Sequence, residues 1–210
     1  LKEYPCYFHV DATQAIGKIK IDFRNVDLIS FTAHKFYGIK GIACLVKKES
    51  ILMEPLIHGG KSTTKYRSGT PALPLIVSMA KALRLIDEEL DTNYQHALEL
   101  NQYLKEQLKN INQIKINSNE KAIPHILNIS VMRIKPETMQ HALEEYDIYI
   151  STQSACSSNN PISRSVLEAT KDEETAKHSI RISLSGITTK EEIDQLLVAL
   201  KECLERLHIK

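Results

Sequence analysis

The chain has 210 residues, 42% apolar and 25% charged, with a net charge of +1. That length buries a core in one large or two small domains, and a charge so near zero makes no case for nucleic acid or a charged membrane surface. No apolar run approaches a membrane span, and Leu1-Lys2-Glu3-Tyr4-Pro5 carries no signal-peptide core. Cysteines at 6, 44, 156 and 203 follow no pairing pattern, so we expect a reduced, cytoplasmic protein. The chain does not begin with Met and enters an apolar run at residue 6, so we also expect that an upstream part is missing.

Cys6-Tyr7-Phe8-His9-Val10 reads as a strand, with Asp11-Ala12-Thr13-Gln14 at its carboxyl end. Gly17 punctuates, and residues 18–22 lead to a second apolar run over 26–31. At its end lies Ser30-Phe31-Thr32-Ala33-His34-Lys35-Phe36-Tyr37-Gly38, and a third apolar run follows over 41–46. Ligands of open α/β sheets bind beyond the carboxyl ends of strands. A lysine in a turn is ordinarily solvated. One held beside apolar strands loses its proton more readily, and a neutral amine forms a Schiff base. Asp11 taken alone serves equally as a turn former or helix cap.

Gly59-Gly60-Lys61-Ser62 suggests a phosphate loop, but the Walker A pattern needs glycine where Pro55 stands. A glycine-rich turn remains, leading to Tyr66-Arg67-Ser68-Gly69-Thr70-Pro71. Pro71 and Pro74 open a helical pattern carried by Leu75, Ile76, Met79, Leu83, Ile86 and Leu90 and continuing weakly to Leu108. Its length implies two helices or one bridging helix, with a domain boundary near Thr92-Asn93.

Short strands are expected at 114–116, 127–132, 148–150 and 179–184, and helices at 136–146 and 161–170. Thr189-Lys190-Glu191-Glu192 is a capping box opening a helix whose apolar face holds Ile193, Leu196, Leu197, Leu200, Leu204 and Leu207. This alternation implies a compact α+β domain. Cys6, Cys44 and Cys203 lie in apolar runs and read as inert core residues. Cys156 differs, standing in the polar run Ser151-Thr152-Gln153-Ser154-Ala155-Cys156-Ser157-Ser158-Asn159-Asn160-Pro161. Arg181 lies inside a strand. An inward arginine pairs with a carboxylate, and its fork suits a substrate carboxylate. The eight histidines show no metal-ligand spacing.

Five stretches together resemble cysteine desulfurases, pyridoxal-phosphate enzymes of the class V aminotransferase group. They are His9-Val10-Asp11-Ala12-Thr13-Gln14, Ser30 through Gly41, Tyr66-Arg67-Ser68-Gly69-Thr70, Ser154-Ala155-Cys156-Ser157-Ser158 and Ser179-Ile180-Arg181-Ile182-Ser183-Leu184. The cysteine loop most resembles the IscS/NifS-type branch. The resemblance implies an α/β fold of type I: residues 1–92 as the C-terminal portion of the large cofactor-binding domain, and 93–210 as a small α+β domain.

The resemblance also implies roles. Lys35 matches the lysine that holds pyridoxal 5'-phosphate, Asp11 the partner of the pyridine nitrogen, and Gln14 the neighbour of the phenolic oxygen. Thr32 and His34 match phosphate contacts, and Thr70 one that the family donates from a partner subunit. His34 joins Lys35 and Cys156 among the expected catalytic residues. Arg181 matches the clamp on the substrate carboxylate, and Cys156 the thiol that receives sulfur. The implied substrate is L-cysteine, converted to alanine and an enzyme persulfide. The implied partners are a second copy of the chain in a homodimer and a sulfur acceptor, either an iron–sulfur scaffold or a tRNA-thiolation enzyme. No metal, nucleic acid or membrane is implied. Gln153 departs from the glycine common before Ser-Ala-Cys, and the family's N-terminal portion is absent, so this chain alone is expected to be inactive. The alternatives are a selenocysteine lyase or other class V enzyme, and a non-catalytic dimerisation or scaffold piece.

Overall fold

The computed structural model describes residues 3–60, 64–152 and 162–207. The chain divides into two compact units, Leu1–Asp91 and Thr92–Lys210. The first unit holds a three-stranded sheet in the order β1-β2-β3. β1 (His9–Asp11) runs parallel to β2 (Leu28–Thr32), and β3 (Ala43–Lys47) runs antiparallel to β2. Ile29 and Phe31, two residues apart on β2, are buried on one face. They share a small core with Ala12, Ala33, Phe36 and the inward residues Met79 and Ile86 of α1 (Leu73–Glu88). Pro74 opens α1, where its missing N–H costs nothing. The chain breaks at Glu89 (φ −102°, ψ 1°) before α2 (Leu90–Leu108), so the long helical pattern resolves into two helices.

The second unit is an antiparallel sheet, β4 (Ile114–Ile116), β5 (Ile126–Val131) and β6 (Ser179–Ser183), in that order. Period-two alternation gives it one apolar face of Leu127, Ile129, Val131, Ile180 and Ile182. Leu104 and Leu108 of α2, Met139 and Leu143 of α3 (Pro136–Glu144), and Leu197 and Leu200 of α6 (Lys190–Arg206) pack on that face. Each such side chain contributes roughly 1.5–3 kcal/mol of burial free energy. The capping box forms as read: the Glu192 N–H donates to Thr189 Oγ1 (3.2 Å) and the Thr189 N–H to Glu192 Oε2 (2.8 Å).

The other face of this sheet is polar. α4 (Arg164–Thr170) and α5 (Glu173–Lys177) lie on part of it. Ser130 Oγ donates to the Thr175 carbonyl (2.7 Å), and Lys115 Nζ donates to Asp172 Oδ2 (2.8 Å) and Thr175 Oγ1 (2.9 Å). Asp172 also caps α5, accepting from the Thr175 N–H (3.2 Å). Among the described residues no helix is long and apolar enough to cross a membrane.

Three expectations need correction. Residues 148–150 form no strand. Asp147 takes φ 57°, Tyr149 turns to solvent, and only Ser151 meets β6, as an isolated bridge to Arg181. Cys6 is exposed rather than buried, because backbone bonding toward β2 begins only at Phe8, whose carbonyl accepts from Asp27 and Leu28. Cys44 is half-buried, whereas Cys203 is buried and its thiol pKa is raised mainly by that burial.

Lys115 and Thr175 hold the Asp172 carboxyl far below the ordinary carboxylate range. A carboxylate with a depressed folded-state pKa gives stability that is complete above its unfolded pKa and is lost as pH falls toward the folded one. Urea midpoints of the wild type should therefore fall below about pH 4, and Asp172→Asn should flatten that acid limb. Parallel acid limbs in the two proteins would refute the assignment. Thr189→Ala should cost about 1 kcal/mol in the same urea series, and Thr189→Ser should recover most of it.

Candidate active site

The parallel pairing of β1 and β2 sets Asp11 opposite Ser30, so both strands end at one edge of the first sheet. The turn after β1 begins there, where the Ala12 N–H donates to the Ser30 carbonyl (2.8 Å). Asp11 ends β1 with its side chain exposed. Its Oδ1 accepts from the Thr13 N–H (3.0 Å). The Thr13 hydroxyl and N–H together hold the carboxyl below its ordinary pKa, with a smaller push from His9. His9 Nε2 and Ser30 Oγ lie 3.0 Å apart across the two strands. Gln14 is exposed in the turn that follows.

β2 runs straight into a short 3-10 turn, Ala33–Lys35. Ala33 and Phe36 point inward and are buried, and the Phe36 ring lies 6.0 Å from that of Phe31. His34 and Lys35 between them are thereby turned outward, and both are exposed. Thr32 Oγ1 donates to the Ile42 carbonyl (3.0 Å) and lies 3.1 Å from His34 Nδ1. The Ala33 carbonyl accepts from both Phe36 (3.1 Å) and Gly38 (2.9 Å). This tight return forces Tyr37 to φ 67°, a left-handed strain of about 1–3 kcal/mol. It also excludes a side chain at Gly38, where a Cβ would stand 2.7 Å from the Ala33 Cβ.

Asp11, Thr32, His34 and Lys35 are thus brought to one sheet edge. The exposure of Lys35 departs from the expected lysine sheltered by apolar strands, because Ala33 and Phe36 take the inward places. Thr70 is exposed and precedes α1.

Arg181 belongs to the second unit, in the middle of β6 on the polar face. Its Nη2 donates to Ser151 Oγ (3.2 Å), and its Nε is buried without a hydrogen-bond partner among the described residues. Sequence reasoning anticipated a carboxylate partner. Among the described residues Arg181 has none within ion-pair distance, which leaves donors for an external anion. Cys156 lies outside the described residues.

The aminotransferase class-V family model matches residues 1–196. The chain belongs to the aminotransferase class-V family. It is 39% identical to cysteine desulfurase IscS of Buchnera aphidicola subsp. Schizaphis graminum, over 98% of this chain and 52% of that protein. It is 38% identical to the mitosomal cysteine desulfurase of Encephalitozoon cuniculi, over 98% of this chain and 49% of that one. Among solved structures, a NifS-like protein matches with a TM-score of 0.85 at 37% identity, over 95% of this chain and 53% of the other. A NifS-like protein from Rickettsia africae matches with a TM-score of 0.84 at 28% identity, over 97% and 55%. The α/β fold is that of these NifS-like, type I pyridoxal-phosphate proteins. The chain spans about half the length of the curated relatives it matches.

One neighbour of Lys35 escaped sequence reasoning. Lys18 is half-buried with its Nζ 3.5 Å from the Lys35 carbonyl. Its pKa is lowered first by burial and then by the charge of Lys35. Gly17, at φ 75°, permits this approach, since a Cβ there would meet Ile86 at 2.9 Å and Phe36 at 3.1 Å. The only signal in the sequence was the glycine itself.

Gly38→Ala should destabilise the first unit by about 1–3 kcal/mol through overpacking against Ala33, read by urea unfolding. Gly60→Ala, whose Cβ would meet nothing within 4 Å among the described residues, should leave the midpoint unchanged. Equal behaviour of the two variants would contradict the tight turn around Lys35.

Proposed function

We propose that this sequence is the C-terminal half of a pyridoxal-phosphate-dependent cysteine desulfurase. On this reading L-cysteine gives alanine and a persulfide on Cys156, which is passed to an iron–sulfur scaffold or a tRNA-thiolation enzyme. The observation that carries the reading is the convergence of an ionised carboxylate, Asp11, and an amine, Lys35, on one edge of parallel strands in a class-V chain. Thr32 and His34 add the hydroxyl and imidazole that suit a phosphate dianion. This donor set fits pyridoxal phosphate, with Gln14 and a partner subunit's copy of Thr70 completing its contacts in a homodimer.

When bound, the cofactor supplies an electron sink for chemistry at the substrate α-carbon. The residues of this chain do the rest. Asp11, kept ionised by Thr13, holds a proton at the pyridine nitrogen. The Lys35 amine carries the cofactor and then moves protons beside the substrate α-carbon, with His34 at its side. The Arg181 fork receives the substrate carboxylate. The Cys156 thiolate attacks the substrate sulfur: the sulfur–sulfur bond forms, the carbon–sulfur bond breaks, and its electron pair is taken up on the alanine side.

We further propose that residues 1–92 are only part of a larger cofactor-binding domain, that 93–210 form the small domain, and that the complete protein is cytoplasmic. The surface of the first unit supports this. A groove of about 1020 Å³ is lined by Ile16, Ile21, Phe31, Leu83 and Ile86. Phe23 and Val46, each at least 50% exposed there, line the same groove, an apolar surface that marks an interaction face. Without the polypeptide that covers this face, the 210-residue chain should bind pyridoxal phosphate weakly and turn over no cysteine.

The full-length parent protein should absorb visible light when loaded, and should release alanine and sulfide from cysteine in the presence of a reductant. Lys35→Ala should abolish the colour. Cys156→Ser should keep the colour and cysteine binding but lose sulfur delivery by at least about a hundredfold. Full sulfur delivery by Cys156→Ser would overturn the role of that thiol. Strong visible absorbance from the 210-residue chain alone would overturn the proposal that it is half a pocket.

A further inference from the structure

Across the polar face of the second sheet, Asn117 bonds to Asn128, Asn128 stands opposite Arg181, and Ser151 meets Arg181 beyond the edge of β6. Ser151 is joined to Arg181 in three ways. Its N–H donates to the Arg181 carbonyl (3.1 Å), its carbonyl accepts from the Arg181 N–H (2.6 Å), and its Oγ accepts from Arg181 Nη2 (3.2 Å). Mutual exchange of backbone bonds makes this a hydrogen-bonded antiparallel pair, so both side chains leave on the same face.

The consequence for the guanidinium is specific. Its stem is fixed by the strand, its Nε is enclosed without a partner among the described residues, and one end is tied to the Ser151 hydroxyl. Ser151 takes one donor, and among the described residues the guanidinium makes no other hydrogen bond. A long side chain ordered in advance loses less freedom when its ligand arrives.

We propose that Ser151 is a positioning residue: its hydroxyl holds the Arg181 guanidinium in the orientation that receives the substrate α-carboxylate. The proposal rests on the reading of Arg181 as the carboxylate clamp, and its test separates the two.

The first measurement needs no cofactor. In the arginine-¹⁵N-labelled chain, the Arg181 Nε–H resonance is identified by its loss in Arg181→Lys. Ser151→Ala should speed exchange of that proton about tenfold, while the Arg181 backbone amide, bonded to the Ser151 carbonyl, stays protected. Ser151→Thr, which keeps the hydroxyl, should behave as the wild type. Unchanged Nε–H exchange in Ser151→Ala would overturn the proposal, as would an equal loss in Ser151→Thr. The second measurement uses the full-length parent. Ser151→Ala should raise KM for L-cysteine about tenfold with a smaller change in kcat, and should leave KM for L-cysteine methyl ester unchanged. Equal effects on acid and ester would overturn the proposal. Failure of the clamp reading has its own signature: Arg181→Gln would leave KM for L-cysteine unchanged while the exchange results stood.

Discussion

The parallel pairing of β1 with β2 is the constraint on which the candidate site depends. It aligns Asp11 with Ser30, and the bond from Ala12 to the Ser30 carbonyl carries the two chains together to a common edge. Beyond that edge each chain must turn, and the turns expose what they carry. Asp11 is kept as a carboxylate by Thr13. His34 and Lys35 are turned outward because Ala33 and Phe36 are committed to the core. A small apolar choice, alanine then phenylalanine flanking a dipeptide, therefore sets the direction of the amine.

Much of this was legible in the sequence because strands and their ends leave plain marks. Apolar runs located β2, β5 and β6 to within two residues, and a full capping box located α6. A carboxylate and a lysine each follow an apolar run, but the roles of the site residues came from the resemblance to cysteine desulfurases. What could not be read was set by partners remote in sequence. Residues 148–150 have the composition of a strand, but β6 accepts only Ser151. The five-residue helix α5 exists because Asp172 caps it and Lys115, far back in the chain, anchors that cap. Lys18 gained its place beside Lys35 only through the fold of a turn at Gly17. The exposure of Lys35 was misjudged because flanking strands were taken to shelter it.

The two units differ in how far their own residues satisfy them. The second has a sheet with one face fully covered by α2, α3 and α6, and a polar face stitched by Ser130, Thr175, Lys115 and Asp172. The first has a core of a few residues around Phe31 and Phe36 and large apolar side chains left at the surface. A three-stranded sheet of this size buries too little to be satisfied alone. The proposed chemistry divides in the same way: the residues proposed to hold the cofactor lie on the unit with the smaller core, and the arginine proposed to bind the substrate carboxylate on the unit with the larger one.

The central claim is that Lys35 is the amine that carries the cofactor. Its most direct test is to load the full-length parent with pyridoxal phosphate, reduce it with borohydride and map the added mass by peptide sequencing. The account predicts one pyridoxyl group, on Lys35. A group on Lys18 or Lys40 instead, or no stable label with a folded and loaded protein, would contradict it.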